Sequence, residues 1–408
     1  MKYDLLIFNM SHWKAWQLSV KRVHQPLFFK PAGLANRNYH VLNQLRTRPE
    51  INRVLSVDLI PFTRKRAWRV YYESILGKVP GNNVTSQFSV TRSKTKVTKA
   101  DEKTWIYTSC RNLLAGDSAD EIWHELLAVM DELGFKNRLL WSYFPMYVLP
   151  FKKLTGTKVF DTVDDWREHP YYRERWQSIL DNNYEIIDEC ADAIFTVSKS
   201  LQKSYPKNGK VHWVPNGIDF AHYTKPDIAL SSKLKKIKKP VIGYLGVIEN
   251  RLDFKLLEDI ARSFPQASLV LAGPVWKKAK TDRLKKMPNV HFLGPISYHD
   301  LPELYNYFDI GIIPHQITKF TKSMNPLKMY EYLACGLPVV TTPVAGTDQF
   351  RKFIKVAETR TDFIAALKHY LADPGDQVEK EKRRQAVRGH SWQNRLDRMF
   401  KIIADARH

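Results

Sequence analysis

Residues 324–346 read MNPLKMYEYLACGLPVVTTPVAG. Asn325-Pro326 opens a helix, because the fixed φ of proline suits a first turn and its missing N–H has no intrahelical partner to lose there. Lys328 then falls in the first turn and Glu331 one turn later on the same face. Cys335-Gly336 closes the helix, and Leu337-Pro338 leads into the apolar strand PVVTT. A helix start has unpaired N–H groups and the positive end of the helix dipole. With the charge of Lys328 beside it, this start suits a diphosphate, and Glu331 suits the hydroxyls of a ribose. The same pattern also fits a surface helix whose Lys328 and Glu331 are solvated or paired with one another.

Outward from this unit the alternation of strand and helix continues. Toward the N-terminus it reads strand Val241–Leu245, helix Phe254–Phe264, strand Ser268–Ala272, a basic helical stretch near Lys277–Lys286, strand Val290–Leu293, helix Asp300–Phe308 and strand Ile310–Ile313. A last helix is expected over Ser391–Ala406. The first half shows the same rhythm: strand Tyr3–Asn9, helix Leu34–Leu45, strands Arg53–Leu59 and Thr104–Thr108, and helix Ala119–Leu133. Strands Arg138–Ser142 and Lys158–Asp161, helix Tyr172–Cys190 and strand Ala193–Val197 follow. Strands separated by helices predict an α/β fold with parallel sheets covered on both faces. The polar, lysine-rich segment Ser231–Pro240, SSKLKKIKKP, interrupts the pattern and reads as a connector between domains. The expected division is a first Rossmann-like domain over 1–225, joined by a returning helix over 391–408, and a second over 226–390. Open parallel sheets bind ligands beyond the carboxyl ends of their strands, so two facing sheets predict a site in the cleft between them.

Composition agrees with two cored domains. The chain has 408 residues, 44% hydrophobic and 12% aromatic, which excludes a disordered chain despite a net charge of +22. Cys110, Cys190 and Cys335 are scattered and odd in number, against both a disulfide scaffold and a structural zinc site. The apolar start MKYDLLIF is short for a signal peptide, and no run of about 18 or more apolar residues appears. A cytoplasmic, reducing compartment is expected. The charge points to polyanionic partners: nucleic acid, an anionic membrane face or phosphorylated small molecules.

The 324–346 segment resembles the donor-binding signature of GT-B glycosyltransferases, especially the family 4, group 1 enzymes of bacterial surface-polysaccharide synthesis, with teichuronic-acid-type and xanthan-type relatives. Glu331, in EYLACGLPVV, matches the family glutamate that binds the ribose of a nucleotide sugar. Eight positions earlier, where many members carry a second glutamate, stands Ser323. GYLGVIENRLDF over 243–254 resembles the strand and loop that open the C-terminal domain. Val247 takes the place of the arginine that many retaining members carry, and Arg251 is the nearby cation. LVLAGP over 269–274, the stretch from Asn289 to His315, VPNGID over 214–219 and SWQNRLDRMFKII at the C-terminus also match in order. The resemblance covers 138–408 and more weakly the first 137 residues. It implies donor contacts from Gly246, Arg251, Gly273, His315, Asn325, Lys328 and Glu331.

A second candidate site is VFDTVDDW over 159–166, where Asp164 and Asp165 follow a strand end close to Asp161. One of them is a candidate general base toward an acceptor hydroxyl; an aspartate here also suits capping of the following helix. His12 and Lys14 follow the first strand beside Trp13 and Trp16, where acceptor loops lie in GT-B enzymes. A lone histidine such as His12 or His315 is equally well a satisfied or surface residue. No metal is expected, since the helix end and cations neutralise a leaving diphosphate, and no cofactor beyond a UDP- or GDP-sugar co-substrate.

Arg64-Lys65-Arg66-Ala67-Trp68-Arg69-Val70-Tyr71-Tyr72 mixes cations with aromatics, and Arg92, Lys94, Lys96 and Lys99 follow. Such a segment fits an anionic membrane interface, single-stranded nucleic acid or a plain solvated face. The reading that joins these features is a hexosyltransferase acting without metal on a lipid-linked or polysaccharide acceptor, peripheral to the inner face of the cell membrane. A sugar-nucleotide epimerase of the same architecture and a basic nucleic-acid-binding protein are the alternatives.

Overall fold

The computed structural model describes residues 2–11, 35–75, 89–92, 94–207, 209–224, 234–276 and 278–406. Among the described residues fifteen strands form two sheets. The first contains β1 (Tyr3–Phe8), β2 (Ile51–Val57), β3 (Ser89–Arg92), β4 (Thr95–Lys99), β5 (Thr104–Ser109), β6 (Arg138–Ser142), β7 (Thr157–Thr162), β8 (Ala193–Thr196) and β9 (Val211–Trp213). The second contains β10 (Val241–Leu245), β11 (Ser268–Ala272), β12 (Val290–Gly294), β13 (Ile310–Ile313), β14 (Val339–Thr341) and β15 (Lys355–Val356).

The second sheet runs β12-β11-β10-β13-β14-β15, all parallel. The first runs β5-β2-β1-β6-β7-β8-β9 in parallel and is extended by an antiparallel β3–β4 hairpin on β5. Each domain thus starts at a central strand, walks one way, then returns to the centre and walks the other way, which is the doubly wound Rossmann order. The order reverses between β1 and β6 in one sheet and between β10 and β13 in the other. Inner strands such as LLIF in β1 and SLVLA in β11 are apolar on both faces because both faces are covered.

The helix Trp392–Asp405 returns to the first domain. Its Leu396, Met399 and Ile403 pack in one cluster with Leu5, Ile7, Val54 and Trp141. The domains also meet through polar contacts. Ser198 Oγ donates to the Ser323 carbonyl at 2.7 Å. In the crossing segment, Asn216 N donates to Asn325 Oδ1 at 3.0 Å, and Asn216 Nδ2 donates to the Asn325 carbonyl at 2.6 Å. Arg37 anchors that segment from the first domain. Its Nε donates to both Asp161 oxygens at 2.9 and 3.0 Å, and its Nη1 donates to Pro215 O and Asn216 Oδ1. The ion pair is sealed from solvent.

Several elements differ from expectation. The basic stretch near Lys277–Lys286 is, among its described residues, a single 3-10 turn at Leu284–Lys286; Leu284 is its one buried residue, too little apolar surface to dock a helix. The β3–β4 hairpin, β9 and the helices Arg360–Ala372 and Gln377–Arg388 add to the expected set. Among the described residues no helix is long and apolar enough to cross a membrane.

Removing one partner of a buried ion pair leaves an uncompensated charge, which costs about 3–5 kcal/mol. Asp161→Ala is expected to lose that much stability in chemical denaturation. A loss below about 1 kcal/mol would show that the Arg37 junction does not hold the fold.

Candidate active site

The β10 strand ends at Gly246, whose φ of +149° is a backbone conformation that L side chains rarely adopt. A Cβ there would lie 2.7 Å from Tyr244 Oη and 3.3 Å from Lys328 Cε. Gly246 therefore lets its loop sit directly against the Lys328 side chain. Gly273, at φ +128°, serves another purpose, since a Cβ there would strike the Gly246 carbonyl. Gly273 thus backs the Gly246 loop.

The helix Leu327–Ala334 begins after Pro326 and puts Lys328 in its first turn. Lys328 Nζ lies 5.2 Å from the Tyr244 ring centroid. Burial pushes this ammonium down to about 8, and Arg251 adds to the fall while Glu331 opposes it. An anion beside Lys328 would restore its full charge. Glu331 is buried, with Tyr223 donating to one carboxylate oxygen at 2.9 Å and Tyr305 to the other at 2.6 Å. Burial raises its carboxyl pKa, and the two tyrosines and Lys328 pull it back. Each oxygen keeps a second acceptor direction.

His315 follows β13 and is 1% exposed, yet neither ring nitrogen has a hydrogen-bond partner among the described residues. Burial, with Lys328 and Arg251 beside it, holds its pKa well below the usual value. It is a neutral imidazole with an unused donor and an unused acceptor, facing two cations. Asn325 Oδ1 accepts from Asn216 N and from Tyr330 Oη, both at 3.0 Å, and its carbonyl accepts from Asn216 Nδ2. These contacts make it a junction residue before the helix, while its buried Nδ2 has no hydrogen-bond partner among the described residues.

Arg251 pairs with Glu249 and sits 5.9 Å from the Phe320 ring centroid. Its charge reaches Tyr244, His315 and Lys328 of the second domain and Asp164 and His169 of the first. The His169 ring meets Phe320 edge-on at 5.0 Å, so the two domains touch at this point. The loop after β7 brings Asp164 to the cleft. Burial pushes its carboxyl up to about 6, with Arg251 lowering it and Asp165 raising it.

The adjacent Asp165 is differently placed. Arg167 binds it with Nε at 3.0 Å and Nη2 at 2.8 Å, the Arg167 backbone N–H donates at 3.0 Å, and Ser204 Oγ at 3.1 Å. Those four hydrogen bonds occupy the carboxylate, so the catalytic role expected of Asp165 is corrected to holding its loop. His12 and Lys14 lie outside the described residues. Among the described residues no group of three or more His, Cys, Asp or Glu side chains is arranged to hold a metal ion.

Sequence reading misses Tyr223, Tyr305, Tyr244 and the His169–Phe320 contact. Each needs chain segments far apart in sequence to meet, and none carries a local signal.

Two Rossmann-like domains facing across this cleft make the fold GT-B, and the sequence is similar to glycosyltransferases. A family described as "Glycosyl transferase-like" matches residues 254–401. The sequence is 28% identical over 313 residues to the "Putative teichuronic acid biosynthesis glycosyltransferase TuaH" of Bacillus subtilis (strain 168), covering 70% of this chain and 78% of that protein. In structure it is similar to sucrose-phosphate synthase from Thermosynechococcus elongatus, with a TM-score of 0.70 and 14% identity over 99% of each chain. It is also similar to Anabaena Alr3699/HepE in complex with UDP and glucose, with a TM-score of 0.61 and 14% identity over 99% of this chain and 100% of that one.

Gly273→Ala tests the support of the Gly246 loop. It is expected to weaken nucleoside-diphosphate binding by roughly tenfold or more in isothermal titration, a change of about 1.4 kcal/mol. Unchanged affinity would mean that the loop does not shape the site.

Proposed function

We propose that the chain transfers a hexose from a nucleoside-diphosphate sugar to a hydroxyl of a lipid-linked or polysaccharide acceptor, without a catalytic metal, at the cytoplasmic face of the cell membrane. The observation that carries this reading is the convergence in one cleft of Asp164, from the first domain, with Arg251, Lys328 and unpartnered His315 from the second. The chemistry of glycosyl transfer asks for that division: a base toward the acceptor and positive charge toward the leaving diphosphate.

The helix start and Lys328 hold the diphosphate against the Gly246 loop. Glu331, steadied by Tyr223 and Tyr305, accepts from the ribose hydroxyls. His315 donates to an oxygen of the donor, which supplies the partner its ring lacks. Asp164 takes the proton of the acceptor hydroxyl as that oxygen bonds to the anomeric carbon. The bond from that carbon to the diphosphate breaks, and Lys328 and Arg251 neutralise the charge that develops. A UDP donor draws support from HepE, whose complex holds UDP and glucose. An envelope polysaccharide acceptor draws support from the likeness to the teichuronic acid glycosyltransferase.

The decisive assay is a donor screen that follows nucleotide release with and without acceptor. Release that depends on acceptor is expected; conversion of the donor to an epimer without acceptor would contradict the reading. Asp164→Asn is expected to lower kcat by at least about a hundredfold. A base must be unprotonated to act, and the Asp164 carboxyl titrates at about 6. kcat/KM should therefore fall as pH drops through about 6 and, because Lys328 loses its charge through about 8, fall again above that, and the Asp164→Asn variant should lose the acid limb. A pH profile unchanged by the substitution would remove Asp164 from the reaction.

A further inference from the structure

The first domain contains a second, separate cavity of about 530 Å³. Its walls include Arg64, Trp68, Tyr71, Lys94, Arg111 and Asn112. These residues come from the helix Arg64–Val70 and the π-helical turn Tyr71–Ile75 that continues it, from the turn between β3 and β4, and from the segment just after β5. Cavity residues thus follow the carboxyl ends of β2 and β5. Those strands lie toward the edge of the sheet away from Asp164: β5 and β7 are four places apart, about 19 Å at roughly 4.8 Å per strand. A sugar passing between Lys328 and Asp164 does not reach this cavity.

The charge of the cavity is uneven. Arg111 is spent on Glu121 and Glu125. Arg64 and Lys94 have no carboxylate partner among the described residues. Two cations from two different elements therefore face one cavity with no carboxylate among the described residues to neutralise them. Beside them the helix turns aromatic rings to the outside. Trp68 is 61% exposed and Tyr72 49%, and their rings stack at 5.9 Å with 22° between planes. Arg64, Lys65, Trp68, Arg69 and Tyr72 are exposed on the same stretch, the spacing of one helix face. Large aromatics held in water beside unneutralised cations suit the head-group depth of an anionic bilayer, where rings bury and cations meet phosphate. Trp68 lines the cavity and is still 61% exposed, and Tyr72 stacked on it is 49% exposed, so the pair offers its faces to an interface outside the cavity as well.

We propose that this cavity binds the phosphate of an anionic phospholipid head group, with Arg64 and Lys94 on the phosphate and the Trp68–Tyr72 pair in the interface. The inference rests on the membrane-face reading given above and gives that reading a defined contact. The site is distinct from the donor cleft, so the two fail independently.

The test uses the full chain in sedimentation with vesicles of phosphatidylcholine alone and of phosphatidylcholine mixed with phosphatidylglycerol. UDP titration and circular dichroism are recorded on every variant. The native chain is expected to sediment with the mixed vesicles only. Arg64→Glu combined with Lys94→Glu should weaken that binding at least tenfold, and Trp68→Ala several-fold, with UDP affinity and fold unchanged. The proposal is overturned if the native chain ignores the mixed vesicles, or if the double variant binds them as well as the native chain does. It is also overturned if the native chain binds oligouridylate or an oligoglucuronate but not the vesicles, which would assign the cavity to a soluble polyanion. Loss of UDP binding by the native chain with vesicle binding intact would sink the donor-site reading and leave this one standing.

Discussion

The molecule is organised around one chain of polar contacts that runs from Asp161 through Arg37 and Asn216 to Asn325. Asp161 is the penultimate residue of β7, three residues before Asp164; Asn325 stands two residues before the helix that carries Lys328 and Glu331. The strand end that presents the candidate base and the helix start that presents the candidate diphosphate site are therefore tied by a few short hydrogen bonds. The ion pair at the head of that chain is buried, and a buried pair adds little net stability compared with apolar packing. What it supplies here is position. Arg37 satisfies a carboxylate in the first domain and the crossing segment at once, so the segment cannot drift without exposing a buried charge. Arg395 Nε, from the returning helix, donates to the Asn216 carbonyl at 3.2 Å and adds a third element to the same residue.

Across the cleft, one cation sets the tone. Burial lowers the pKa of Lys328, His169 and His315 and raises that of Asp164; Arg251 adds to the first three falls and restrains the rise of Asp164. Arg251 and Lys328 repel one another beside a neutral imidazole that has no hydrogen-bond partner. A dianionic group between them would offset the repulsion among the cations and give His315 an acceptor for its N–H. The same logic accounts for the two glycines. Gly246 allows backbone and lysine to approach, and Gly273 allows the two loops to stack; neither position tolerates a side chain.

Much of this is legible in the sequence. Strands β6, β10, β11 and β13 can be read to the residue, because buried parallel strands are continuous apolar runs with polar, glycine or proline residues at their ends. Lys328, Glu331 and Gly246 are legible because helix starts and glycine loops leave local marks. The helix Gln377–Arg388 is not, since only Arg383 and Val387 are buried in it and no apolar stripe shows. The tyrosine clamp on Glu331 is not either: Tyr223 lies 108 residues away and Tyr305 26, and only the assembled fold joins them. The sequence offers Asp164 and Asp165 as equals; Arg167 and Ser204 separate them in space.

The central claim is that the second domain recognises a nucleoside diphosphate through its diphosphate, at Lys328. Isothermal titration of UDP and of UMP into the native chain and into Lys328→Ala tests it most directly. The native chain should bind UDP at least about tenfold more tightly than UMP, a difference of about 1.4 kcal/mol, and Lys328→Ala should bind the two alike. Equal affinities in the native chain, or an undiminished preference for UDP in Lys328→Ala, would contradict the claim.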